Sequence, residues 1–276
     1  GEGGLTWFKA RDDSTFHILF DTERGGTKWL NSASSGAENT ASPAWVTYNS
    51  NGFTLTQGIN GLNNTQEMTS WTFRKAPKFF DVVTYTGDGT NGRQISHNLD
   101  SVPGMIFVKR TNSSDDWRVF HRSQSNQYAN LNSDFQFQTD GGNVFGNPSN
   151  GTATAPTSTH FTVDGGDSAV NGSGSEYVAY LFAHDAQDFG TDEDEAIIKC
   201  DTYTGNGSTT GPIIDLGFEP QWLLIKKSSG AAGWYMYDNM RGVATGGNDA
   251  LIYANYANQE TTNQNIVDFT STGFQL

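Results

Sequence analysis

An apolar run ending in lysine occurs three times in the chain: LTWFK at Lys9, MIFVK at Lys109 and WLLIK at Lys226. A short polar loop and a second aromatic strand follow each, HILFD (17–21), WRVFH (117–121) and WYMYD (234–238). A Gly- or Thr-led strand comes later in each copy, around Phe53, Phe161 and Phe274. The first two copies then run into a closing strand, SWTFRK (70–75) and AYLFAH (179–184). The last two are preceded by a TYTG element, with Tyr-to-Lys separations of 24 (109 − 85) and 23 (226 − 203) residues. Order, spacing and residue type all recur, so the chain reads as an array of one unit of roughly 100–120 residues, too long for a solenoid repeat and suited to a β domain.

The copies place boundaries. Residues 1–80 form a first, partial repeat without the leading TYTG strand, and 81–185 form a complete second repeat. Residues 186–195 form an acidic linker containing Asp192, Glu193, Asp194 and Glu195, and 196–276 form a third repeat without a closing strand. The register suggests a window within a longer polypeptide. The rival reading is that half-units complete one another between subunits by donating a strand.

The 276 residues include 18 Phe, 10 Tyr, 7 Trp and 32 Gly, which with frequent Thr and Asn turn clusters points to an all-β chain. Each complete unit offers several short strands, so the expected fold is a tandem array of antiparallel β-sandwiches, jelly-roll-like or immunoglobulin-like, with the strand order open. In the second lysine strand Met105, Phe107 and Lys109 share one face and Ile106 and Val108 the other. Both faces are apolar, which suits a central strand covered on both sides.

A net charge of −14 and a pI near 4.5 argue against nucleic acid as a partner. No apolar run approaches the length of a membrane helix. The single cysteine, Cys200, rules out an intrachain disulfide and is expected to be a small buried hydrophobe in an apolar strand.

The sharpest local motif is D-x-x-R-G, at Asp21, Arg24 and Gly25 and again at Asp238, Arg241 and Gly242. An aspartate at a strand end and an arginine three residues on can close a turn, with glycine supplying a positive φ. The second copy has His121-Arg122-Ser123-Gln124 instead. A duplicated motif favours architecture over catalysis. The five histidines lack metal-ligand spacing, and no carboxylate pair or nucleophile elbow stands out. The expectation is therefore a non-enzyme without a cofactor, with weak Ca2+ binding in the GDG (87–89) and DGG (164–166) loops as the one metal option. Aromatics at strand ends and loops, Trp29, Tyr128, Tyr253 and Tyr256, are candidate platforms for sugar rings.

The strings TSWTFRKAPKFFDVVTYTGDG (69–89), HNLDSVPGMIFVKRT (97–111) and LGFEPQWLLIKK (216–227), together with FDTERG (20–25) and YVAYLFA (177–183), carry a resemblance across nearly the whole chain. It resembles a repeated β domain of structural proteins of marine bacteriophages, those of cyanobacteria and other ocean bacteria, commonly labelled tail fibres. The resemblance implies a virion-surface, extracellular structural module of a fibre or appendage. Its implied partners are neighbouring copies of itself, as in a homotrimer, or other virion proteins. It brings no catalytic residues. The alternative expectation is a host-recognition adhesin that binds surface glycans.

Overall fold

The computed structural model describes residues 3–56, 62–243 and 245–276. The chain is all-β and sandwich-type, and its named strands pair antiparallel. Among the described residues the one α-helix is the four-residue Ser168–Asn171.

Each lysine strand sits in an inner sheet. In the first segment the order is Ile18–Asp21, Gly4–Ala10, Met68–Arg74. In the second the lysine strand Met105–Arg110 lies between Arg118–His121 and the closing strand Glu176–Phe182, and the leading strand Phe80–Thr86 pairs with the far side of that closing strand. In the third the sheet begins at the lysine strand Trp222–Lys226 and continues through Trp234–Asp238, Asp249–Tyr253 and Thr261–Gln264. Smaller outer sheets cover these: Val46–Asn49 with Gly52–Leu55, Arg93–Ser96 with His160–Val163, and Ile213–Asp215 with Gly273–Gln275 and Asp268–Thr270.

Strand alternation decides which core each side chain joins. Trp7, Leu19, Phe107, Val119 and Met236 all point into one central cluster, with Leu224 packed against it. Their neighbours Phe8, Phe20, Ile106, Phe120 and Tyr237 point the other way, into three separate clusters beneath the outer sheets. Three sandwiches thus share one inner core. Trp7, Trp117 and Trp234 are among its largest fully buried side chains, each removing an indole's worth of apolar surface from water.

The three segments meet in a cycle. The Trp117 indole N–H donates to the Asn31 carbonyl at 3.0 Å, and that of Trp234 to the Asn130 carbonyl at 3.1 Å. His17 takes the corresponding position in the first segment, and its Nε2 lies 2.9 Å from the Tyr253 carbonyl and 3.1 Å from that of Tyr256. The backbone repeats the cycle. The Glu38 N–H donates to Thr111 (2.8 Å), that of Phe137 to Ser228 (3.1 Å) and that of Glu260 to Arg11 (2.7 Å). Each acceptor stands two residues beyond a repeated lysine. First contacts second, second contacts third and third contacts first, so the ring closes.

Two local expectations fail for a shared reason. The TYTG element around Tyr85 is a strand, but the one around Tyr203 is not. The first pairs with a closing strand, and the described residues of the third segment offer no closing strand to pair with. Cys200, expected in an apolar strand, lies in the same unpaired stretch. It is buried all the same, with its backbone N–H donating to His184 Nδ1 at 3.1 Å.

Candidate functional site: closed clamps and an open groove

Both D-x-x-R-G motifs fold into the same clamp. The Arg24 backbone N–H donates to Asp21 Oδ1 (2.9 Å) and its Nε to Oδ2 (2.7 Å). Arg241 repeats this with Asp238 at 2.8 and 2.6 Å. Gly25 and Gly242 follow at φ +77° and +106°, where a side chain would strain the backbone. Each arginine also reaches a glutamate, Arg24 to Glu38 and Arg241 to Glu260, both at 2.9 Å or less. Arg11 adds a second, two-toothed contact to Glu260 at 3.0 and 2.8 Å. Burial alone would raise the Glu260 carboxyl, but its hydrogen bonds to Arg11 and Arg241 carry it below the ordinary value.

Each clamp receives an aromatic from a neighbouring segment's closing strand. The Tyr180 hydroxyl donates to Asp21 Oδ2 at 2.8 Å, and the Trp71 indole N–H donates to Asp238 Oδ2 at 2.9 Å. Arg241 also stacks over the Trp71 ring. Trp71 and Tyr180 hold the same place in their strands, facing Trp7 and Phe107 in register. By the cycle, the second segment's clamp would face a closing strand from the third. The described residues of the third segment include no such strand, and in the second segment His121 stands where the aspartate would be.

The repeated lysines are structural donors, Lys9 and Lys109 buried and Lys226 half-buried. Lys9 Nζ donates to the carbonyls of Ala10 and Asp13, Lys109 to those of Ser35, Arg110 and Asp115, and Lys226 to those of Asp134 and Ala232. Two of these bonds cross between segments. Burial lowers all three amines to about 8. The sequence carries the signal for this role, since each of the three apolar runs ends in the same cation.

The candidate sugar platforms are divided. Trp29 is 9% exposed and stacks with Phe16 and Trp45, so its faces serve the first segment's outer core. Tyr128 is half-buried, with Arg118 over its ring and its hydroxyl on Gln138. Tyr253 and Tyr256 meet edge to face, and Tyr235 packs on Tyr253, which makes one half-buried tyrosine cluster. In the loops considered for calcium, Asp88 Oδ1 accepts from Thr90 and Asn171, and Asp164 Oδ2 accepts from the Gly166 N–H. Among the described residues no group of three His, Cys, Asp or Glu side chains is arranged to hold a metal ion.

The feature that motif reading did not single out is a groove. The third lysine strand ends its sheet, and a cleft of about 670 Å³ opens along it. Trp222 and Leu224 line one wall, Trp71 and Phe73 another, and Ile197 and Ile198 a third. The clue in sequence was the missing closing strand itself.

A family model described as a domain of unknown function, DUF7483, matches residues 2–276. No curated protein and no solved structure matches the chain.

Proposed function

We propose, from the premise that this chain belongs to the DUF7483 family, that it is a non-enzymatic structural module of a larger extracellular assembly. The observation that carries this reading is the cycle of equivalent bonds, in which the charged groups of the repeated motifs hold segment to segment. Asp21, Asp238, Glu260, Lys109 and Lys226 each place a hydrogen bond on that joinery, and Lys9 ties up its amine within the first segment. Groups committed in this way are not free to move protons on a substrate. The resemblance to marine phage appendage domains supplies the setting, a fibre or other external part of a virion, with copies of itself or other virion proteins as neighbours.

Immunogold electron microscopy of purified virus particles, using antibodies raised against this chain, tests the proposal. Gold on an external appendage supports it; gold confined to the non-particle fraction overturns it. The second reading, a glycan-binding adhesin, draws on the half-buried cluster of Tyr235, Tyr253 and Tyr256. Saturable binding on a glycan array, abolished by Tyr256→Ala, would favour it over a purely structural part.

A further inference from the structure

The groove along Trp222–Lys226 has the position and chemistry of a missing strand. In the first segment the equivalent edge, Gly4–Ala10, pairs along its length with Met68–Arg74, and every residue of the lysine strand is buried. In the second, Met105–Arg110 pairs with Glu176–Phe182 and its four central residues are buried. In the third, all five residues of the lysine strand are only half-buried. The same strand type, left without its neighbour, has lost its cover on one side. Two further signs lie in the groove. The Trp222 indole N–H has no hydrogen-bond partner among the described residues, and Ile197 and Met240 are large apolar side chains exposed at 45% and 91%. Across the groove run residues 195–200, which lead into the Tyr203 stretch, whose counterpart in the second segment pairs with the far side of the closing strand. In that segment one strand lies between the two.

We infer that this groove accepts an extended β-strand from outside residues 1–276, which pairs antiparallel with Trp222–Lys226 and places an aromatic-x-Phe pair into the central core. The occupant's chemistry follows from the two filled sites. There, Phe73 faces Leu5 and Phe182 faces Met105, while Trp71 faces Trp7 and Tyr180 faces Phe107. Carried over, the incoming Phe lies opposite Trp222 and the other aromatic opposite Leu224. The first closing strand ends in Arg74, opposite Gly4, and Gln221 holds the matching place, beside the exposed Glu219. A basic residue after the Phe therefore meets a carboxylate. Both closing strands in residues 1–276 are already paired, so neither can fill the groove without opening its own sheet. The addition of an edge strand supplies main-chain hydrogen bonds for affinity and alternate side-chain pockets for specificity. The inference rests on edge geometry and holds under either reading of function.

The test uses the full chain and a soluble probe peptide copying residues 67–76, EMTSWTFRKA. The expected result is 1:1 binding by calorimetry, with hydrogen-exchange protection appearing at Trp222–Lys226. Replacing both aromatics of the peptide with Ser should weaken binding by at least about tenfold, given what burying two large apolar side chains contributes. Methylating alternate backbone nitrogens on its pairing edge should weaken it similarly. No binding at millimolar peptide overturns the inference. So does binding indifferent to both changes, and so does protection of this strand through self-association of the chain without peptide.

Discussion

His17 is the odd member of the ring's three indole positions, and it makes one joint sensitive to acid. Its Nδ1 accepts from the Trp7 indole N–H at 2.8 Å, while Nε2 faces the Tyr253 and Tyr256 carbonyls. This arrangement requires the neutral ring with its proton on Nε2. A second proton on Nδ1 would point at the Trp7 N–H, donor against donor. Burial, and after it the nearby Lys9 charge, lowers His17 to about 3. The folded value lies below the unfolded one near 6.5, so the stability tied to the neutral ring is full above about pH 6.5 and drains as pH falls toward 3. Between pH 7 and 4.5 the unfolded chain gains a proton that the folded chain refuses, a loss of about 3 kcal/mol from this side chain. His17→Gln keeps one acceptor and one donor and cannot titrate. His121, lowered by burial to about 4, and the carboxylates act in the same range, so the readout is the difference between proteins. Urea unfolding followed by tryptophan fluorescence at pH 7 and 4.5 should show the parent losing about 3 kcal/mol more than His17→Gln. Equal losses would refute the assignment of the neutral ring to this joint.

Other groups make independent predictions. Arg24→Ala leaves Asp21, fully buried, without its cation and should cost about 3–5 kcal/mol in urea unfolding; adding Asp21→Ala should recover part of that. Lys109→Met orphans three carbonyl contacts and removes a group lowered to about 8. The parent's stability should rise as pH climbs from 8 toward 10.5, where the unfolded lysine still holds a proton the folded one has released, and the variant should lack that component. Burial pushes the Cys200 thiol up to about 12. A thiol reagent at pH 8 should leave the folded chain unlabelled and react once urea unfolds it.

The three lysine strands, their alternation into two cores and the Asp-x-x-Arg-Gly turns were legible because each depends on residues a few positions apart. The ring was not. The Arg11–Glu260 pair spans 249 residues and leaves no local pattern. The Tyr203 stretch repeats the letters of the Tyr85 strand but not its conformation, because a strand is made by its partner as much as by its own residues. Trp29 shows the same limit on a single side chain: its position at a strand end suggested exposure, and Phe16 and Trp45, reached only through folding, took up its faces.

The ring's three backbone joints look alike but close very different lengths of chain. Glu38 to Thr111 spans 73 residues (111 − 38), Phe137 to Ser228 spans 91 (228 − 137), and Arg11 to Glu260 spans 249. Loop-closure entropy grows with the logarithm of that length, so the third joint costs about 1 kcal/mol more than the first. It is also the joint at which Arg11 reaches across to grip Glu260 with two hydrogen bonds, whereas Glu38 is held by Arg24 and Lys28 of its own segment. The extra grip offsets the longer detour. Of the three seams, the one between first and third is the costliest to close, because it is drawn from the most distant parts of the chain.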